Sequence, residues 1–217
     1  MVKRDAFMDA AQNLITARGY EQMSVQDVLD QLGASRGAFY HYFDSKEALL
    51  EAVIDRMVDA GLEAVAPVVE DPELTAVQKL QGLFTGIQRF KTDRKPLLLE
   101  ILKVWTSDHN AIVVEKLRRT TVTRMVPLLT RIVEQGVSEG AFVSKAPADT
   151  ARLVVILLQG FQEWATELFI ARQSNSLALE DVASTIGNFA DGLERVLGIK
   201  AGSLTPIDET TLHEWFG

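Results

Sequence analysis

The sequence predicts an all-α protein of nine helices. Apolar residues recur at the i, i+3, i+4, i+7 spacing of a helix face through most of the 217 residues. No segment alternates apolar and polar residues with a period of two, so no strand is expected. Glycine, proline and aspartate residues separate the helical patterns. The expected architecture is an N-terminal head of three helices and a C-terminal body of six.

The first helix is expected over residues 3–18. One apolar stripe runs along it, made of Phe7, Ala10, Ala11, Leu14 and Ile15. Gly19 ends this helix, which supplies the core beneath the segment that follows.

A short second helix is expected to begin after Ser24. Ser24 and Asp27 form a capping pair, since their side chains can satisfy free backbone amides. Gly33 ends the helix, because glycine accepts the left-handed backbone there without steric cost.

A third helix follows after a tight turn, over about residues 35–42. Ser35 is placed to cap it, and Phe39 and Tyr42 lie on its inner face. Phe43 is also expected in the core. This arrangement is typical of a helix-turn-helix motif, whose second helix enters the major groove of DNA.

The exposed face of the third helix favours contact with DNA. Arg36 lies in its first turn, and arginine binds guanine through two hydrogen bonds. Gly37 adds no bulk, so the backbone can approach DNA closely. Tyr40 and His41 follow one turn later and can donate to phosphate oxygens. Lys46 lies in the first turn of the next helix, where the dipole and free amides favour an anion.

The fourth helix is expected over about residues 45–64, with Asp44 and Glu47 as its capping pair. Pro67 and the acidic stretch that follows mark its end and a domain boundary. The remaining helices are expected over residues 74–92, 96–107, 110–136, 148–173 and 179–197.

The segment GASRGAFYHYFDSKEALL resembles the DNA-binding signature of the TetR/AcrR family of bacterial transcriptional regulators. The preceding junction, ITARGYEQMSV, is similar to that family too, and the specific resemblance covers about residues 3–55. It implies DNA contacts from Ser24, Gln26, Ser35, Arg36, Gly37, Tyr40, His41 and Lys46. Asp44 departs from the basic residue that some members carry, so no phosphate contact is expected from it.

Beyond the head the resemblance is architectural. It implies a helix-turn-helix DNA-binding domain over 1–50 and a ligand-binding and dimerisation domain over 51–198. The tail, 199–217, either docks through Trp215 and Phe216 or is disordered. The implied function is a sequence-specific DNA-binding regulator, a repressor that a small-molecule effector releases from its operator.

The last two predicted helices carry more apolar surface than one packed face needs. The run from Leu153 to Leu158 is continuously apolar. A homodimer through helices 148–173 and 179–197 is therefore expected, as the resemblance implies, and a deep core inside a monomer is the alternative. Two heads would then reach major grooves about one helical turn apart.

The resemblance also implies a ligand pocket in the body. Aromatic and apolar side chains would line it, and amide side chains would anchor the ligand. The candidates are Phe84, Gln88, Trp105, Asn110, Met125, Gln159, Phe161 and Trp164. Core packing is the alternative for each of them.

Overall charge gives no support to DNA binding. The net charge is −8, and residues 1–50 hold five Lys or Arg against seven Asp or Glu. Phosphate binding would therefore depend on where individual cations and helix N-termini lie, and not on the net charge. The absence of cysteine excludes disulfides and cysteine-ligated zinc. No signal peptide or membrane-length apolar run is present, so a soluble cytoplasmic protein with no membrane partner is expected.

Two other classes of function are disfavoured by the sequence. An all-α enzyme is disfavoured because His41, His109 and His213 lie far apart in the sequence, outside any metal-binding spacing. No cofactor, metal or catalytic residue is expected. A small-molecule-binding protein without DNA function is disfavoured by Arg36, Tyr40 and Lys46.

Overall fold

The computed structural model describes residues 3–105 and 111–217, without the side chains at positions 105, 111–113 and 117. Within these residues the chain is helical and has no strand, which confirms the all-α class. The helices are α1 (Arg4–Arg18), α2 (Val25–Leu32), α3 (Arg36–Tyr40), α4 (Lys46–Glu70), α5 (Ala76–Thr92), α6 (Lys95–Trp105), α7 (Ala111–Ser138), α8 (Pro147–Gln173), α9 (Leu179–Leu197) and α10 (Glu209–Phe216).

Two predictions about the helices need correction. The described residues form ten helices rather than nine, because the tail contributes α10. The fourth helix passes through Pro67 and ends at Glu70, beyond the predicted end near residue 64. Proline removes one helical hydrogen bond, but Val65 and Val69 on either side of it are buried, and their packing offsets that loss.

The described residues form two compact units. The head unit contains residues up to Gly61 and those from Asp93 to Arg119; the body unit contains 62–92 and 120–217. Helix α6 therefore packs with the N-terminal helices, although it is distant from them in sequence. The predicted division at residue 50 stays a prediction.

The core of the head unit forms around α1. Its apolar stripe is buried as predicted, and Phe7 and Ile15 are fully enclosed. Side chains from α2, α3, α4 and α6 complete this core, among them Val28, Phe39, Leu50 and Ile101. The helix-turn-helix segment therefore packs against the same core as α1, α4 and α6.

The core of the body unit has two parts. The larger contains buried residues from α5, α7, α8 and α9, including Leu83, Ile132, Val154 and Leu193. The smaller joins α8 and α9 to the C-terminal helix α10 through residues Leu168, Val182, Ile186 and Phe216. Nearly all the apolar positions of α9 face one of these cores.

The C-terminal segment is held by side chains that bond its backbone and by one of its own side chains. Gln81 donates to the carbonyl of Thr205 at 2.9 Å and accepts from its amide at 2.8 Å. Arg172 donates to the carbonyl of Phe216 at 2.8 Å, and Trp215 donates to Thr92 at 2.9 Å. Of the two states left open for the tail, the structure has the docked one.

Glu194 of α9 organises the start of this segment. Its side chain is 2% exposed, and its two oxygens accept from the amides of Gly202 at 2.9 Å and Leu204 at 2.8 Å. A buried carboxylate is tolerated here because each oxygen has a backbone donor.

We expect Glu194→Gln to lower the free energy of unfolding by about 1–3 kcal/mol, because the amide turns one acceptor into a donor that faces a backbone N–H. Urea unfolding followed by circular dichroism measures this loss. Asp191→Asn, an exposed position on the same helix, is the matched control and should change stability by less than about 0.5 kcal/mol. Equal stability of both variants would contradict the assignment.

Candidate nucleic-acid interface

Helix α2 begins with a reciprocal capping box, as predicted. The Ser24 hydroxyl accepts from the amide of Asp27 at 3.1 Å, and the Asp27 carboxylate accepts from the amide of Ser24 at 2.8 Å. Arg18 at the end of α1 adds an ion pair to Asp27 at 3.0 Å. The hydrogen bonds from the Ser24 hydroxyl and amide, and then Arg18, hold the pKa of Asp27 below its usual value.

A glycine turn connects α2 to α3. Gly33 has φ +59°, the left-handed conformation that glycine adopts without strain, and its amide bonds back to the last turn of α2. Ser35 then caps α3, since its hydroxyl accepts from the amide of Ala38 at 3.2 Å. Both features confirm the predicted helix-turn-helix geometry.

One buried aromatic side chain fixes the rotation of α3. Phe39 has no exposed surface and packs edge-on against Phe7, with ring centroids 5.7 Å apart. Phe43 lies 5.7 Å from Phe39 on the other side. Because α3 has five residues, this anchor decides which of the others face solvent.

The solvent face of α3 carries the predicted DNA contacts. Arg36, Gly37, Tyr40 and His41 are all exposed, and Tyr40 keeps 55% of its surface in solvent. A Cβ atom at Gly37 would meet nothing nearer than the Ser35 hydroxyl at 4.0 Å. Packing within the chain therefore does not require glycine at this position.

Helix α2 contributes to the same face. Gln26 is exposed, accepts from Arg36 at 3.5 Å and donates to Asp30 at 2.7 Å. This chain of contacts orients the Arg36 guanidinium across the gap between the two helices. Asp30 was not among the predicted residues; its position one helical turn after Gln26 is the signal that would have found it.

The start of α4 differs in one detail from the prediction. The helix begins at Lys46, so the capping residue is Ser45, whose hydroxyl accepts from the amide of Ala48 at 3.1 Å. Asp44 is not the cap. Hydrogen bonds from its own amide and from Ser45 lower the pKa of Glu47, because they stabilise the ionised carboxylate.

Lys46 is partly buried rather than extended into solvent. Its ammonium lies 4.1 Å from the centre of the Tyr20 ring and 3.4 Å from the carbonyl oxygen of Glu21. Sequence reasoning missed both partners, because they precede Lys46 by 25 residues or more.

The predicted ligand residues lie in different surroundings. Phe84 is buried in the larger body core, and Met125 packs against it. Phe161 stacks on Phe189 beside the smaller core, with ring centroids 4.1 Å apart. Trp164 is 44% exposed, whereas Gln88 and Gln159 are partly buried. Asn110 and the side chain of Trp105 lie outside the described residues, and the ligand assignment stays a prediction.

No cluster of three metal-binding side chains occurs within residues 3–105 and 111–217.

Residues 7–53 match the family model for bacterial regulatory proteins of the TetR family. The match begins in α1 and ends in α4, so it includes every position at which a DNA contact was predicted.

Two relatives extend this similarity. The chain is 39% identical over 85 residues to the HTH-type transcriptional regulator EthR of Mycobacterium tuberculosis. The aligned region covers 39% of this chain and 38% of EthR. It is 23% identical over 160 residues to the HTH-type transcriptional repressor KstR2 of Rhodococcus jostii, which covers 69% of this chain and 72% of KstR2. Both relatives are transcriptional regulators.

A solved transcriptional regulator from Cytophaga hutchinsonii has a similar fold. The TM-score is 0.58 with 98% of each chain covered, and the sequences are 17% identical. At this identity the likeness concerns the fold alone. It extends the similarity to the body, which the family model does not reach.

We expect Ser24→Ala to raise the native-state pKa of Asp27 towards its usual value of 3.8, because the Ser24 hydroxyl is the largest cause of the lowered pKa. Carboxyl-carbon NMR titration measures the change. Because the pKa of Asp27 is lower in the folded than in the unfolded protein, the ionised carboxylate stabilises the fold at pH values above the unfolded-state pKa. This stabilisation is lost as the pH falls through the folded-state pKa. The variant should therefore lose less stability than the wild type below about pH 4.

Ser184→Ala, an exposed position in α9, is the control and should leave the Asp27 titration unchanged. An unchanged Asp27 pKa in Ser24→Ala would show that the Ser24 hydroxyl is not the cause.

Proposed function

Because this chain belongs to the TetR/AcrR family of bacterial transcriptional regulators, we propose that it is a homodimeric repressor that a small-molecule effector releases from DNA. Sequence-specific DNA binding is the function of the family. Repression is supported by the similarity to a transcriptional repressor over 72% of its length.

The observation that carries the DNA-binding part is the outward face of α3. Burial of Phe39 turns Arg36, Gly37 and Tyr40 towards solvent together, on a helix that a capped turn presents at the protein surface. In this proposal Arg36 reads a guanine, oriented by Gln26, while Tyr40, His41 and Lys46 bind phosphates. Ser24 and Ser35, at the starts of α2 and α3, lie where free amides also favour phosphate.

Dimerisation is supported by an apolar stripe on α8. Its members are between 36% and 54% exposed in the isolated chain: Leu153, Ile156, Leu157, Trp164 and Ile170. An apolar stripe of this length on a helix surface is typical of an interface between subunits. The partner expected is a second copy, in which the same helix packs against this one.

Helix α9 supports the same interface for a different reason than predicted. Its larger apolar side chains Val182, Ile186 and Leu193 are buried within the chain, so they add no exposed apolar surface. The exposed face instead carries small residues such as Ala183, Ser184 and Gly187. Small side chains allow a partner helix to approach closely, so α9 would contribute contact area rather than apolar anchors.

Helix α8 is also long and apolar enough to cross a membrane, judged by length and composition alone. Regulators of this family are soluble cytoplasmic proteins. We therefore assign its exposed apolar surface to the dimer and place the protein in the cytoplasm.

The release mechanism is a two-state one. An effector bound in the body favours a conformation in which α4 moves and the distance between the two heads changes. Helix α4 suits this role because it is continuous from Lys46 to Glu70 and contributes residues to both compact units. The effector must bind the DNA-incompetent state more tightly, since equal affinity would shift nothing.

We expect Arg36→Ala and Tyr40→Ala to weaken operator binding, Arg36→Ala by about 5- to 150-fold, because a bidentate arginine–guanine contact is worth about 1–3 kcal/mol. Fluorescence anisotropy at two salt concentrations measures this, with a labelled duplex from the DNA that flanks this protein's own coding region. Arg89→Ala, an exposed arginine of α5, is the matched control and should bind like the wild type.

Wild-type protein that binds this duplex no better than random DNA calls for a genome-wide selection of bound fragments. Failure to enrich any fragment would contradict the DNA-binding function. Equal loss in Arg36→Ala and Arg89→Ala would contradict the assignment of the interface to α3.

We expect Ile156→Glu to convert the dimer into a monomer, because a carboxylate within the α8 stripe would be buried at the interface without a partner. Light scattering coupled to size-exclusion chromatography gives the mass. Val143→Glu replaces another exposed apolar side chain, one that lies outside α8, and should leave the dimer intact. A wild-type mass equal to one chain would contradict the dimer.

A further inference from the structure

We propose that Tyr20 is a positioning residue for DNA binding: its ring, together with the Glu21 carbonyl, holds the Lys46 ammonium at the N-terminus of α4, where it meets a backbone phosphate. This inference rests on the DNA-binding function proposed above and adds a residue that makes no contact with DNA itself.

The ring of Tyr20 is a rigid part of the head unit. Gly19 ends α1 with φ +84°, a conformation that turns the chain sharply and that other residues rarely adopt. Tyr20 follows directly, is 4% exposed, and its carbonyl accepts from the amide of Met23 at 3.1 Å. The ring is therefore packed in the core of the head unit, at the connection between α1 and α2.

Lys46 is held by two weak but convergent contacts. A distance of 4.1 Å between the ammonium and the ring centre lies well inside the range of about 6 Å for cation–π attraction. The Glu21 carbonyl at 3.4 Å takes one of the three N–H donors. Other donors stay available to a phosphate. A lysine that is already immobilised loses less conformational entropy on binding than one that moves freely.

The hydroxyl of Tyr20 plays no part in this arrangement. It is buried and has no hydrogen-bond partner among the described residues. Burial, and then the carboxylates of Glu47 and Glu21, raise the pKa of Tyr20, so the side chain stays neutral. Its face attracts Lys46 through the aromatic ring, and phenylalanine should replace it without loss.

A double-mutant cycle tests the proposal on the full-length protein with the selected operator duplex. Tyr20→Leu removes the ring but keeps an apolar side chain, and Lys46→Met removes the charge but keeps the stem. We expect Tyr20→Leu to weaken binding about fivefold when Lys46 is present and by less than about twofold in the Lys46→Met background. Tyr20→Phe is the matched control and should bind like the wild type.

Two outcomes of the cycle would overturn the proposal. An equal effect of Tyr20→Leu in both backgrounds would mean that Tyr20 supports the fold alone. Unchanged binding by Lys46→Met would mean that Lys46 contacts no phosphate, while the DNA-binding function would still stand on Arg36. A wild-type protein that binds no DNA would overturn both.

NMR of the wild-type protein provides a test that does not depend on whether Tyr20→Leu folds. The ε-methylene protons of Lys46 should be shifted upfield by the Tyr20 ring current, both in the free protein and in the DNA complex. Loss of this shift on DNA binding would show that the lysine leaves the ring, which would overturn the proposal.

Discussion

The burial of Phe39 is the constraint on which the proposed DNA-binding surface depends. A helix of five residues is too short to be stable by its own hydrogen bonds, so α3 exists because the domain packs it. The fully enclosed Phe39 ring does most of that packing against Phe7 and Phe43. Since one buried position sets the rotation of the helix, the outward direction of Arg36 and Tyr40 follows from it.

The sequence predicts the head well because its structure is mostly local. Ser24 and Asp27, three residues apart, are enough to define a capping box, and Gly33 is enough to define the turn. Helix α9 has the predicted bounds for the same reason. The end of α4 was not predictable in this way, because the helix continues through Pro67 only where Val65 and Val69 pack against other helices. That packing is a property of the whole fold.

The exposure of Arg36, Tyr40 and His41 could be predicted from the sequence, but the contacts that the site residues make with residues distant in the chain could not. The spacing of apolar residues places Lys46 in the first turn of a helix. It does not show that the Tyr20 ring lies next to the Lys46 ammonium. In the body unit, the prediction of ligand residues from the sequence fails for a different reason. Aromatic side chains that line a pocket and those that fill a core have the same spacing, and Phe84 and Phe161 are both packed against apolar neighbours. The pattern of apolar residues cannot separate the two roles.

The acidic character of the chain has to be overcome locally, because hydrogen bonds that lower the pKa of Asp27 and of Glu47 keep both carboxylates ionised beside this surface. Asp27 is bonded by Ser24 and Arg18, Asp30 by Gln26, and Glu47 by Ser45. Residues 1–50 hold five Lys or Arg against seven Asp or Glu, so attraction to DNA of any sequence should be weak and its salt dependence shallow. In the proposed complex, affinity depends on a few placed groups, with phosphate contacts from Tyr40, His41 and Lys46 and one base contact from Arg36. The ratio of specific to non-specific binding, which decides occupancy in a genome, would then depend mainly on the base contact.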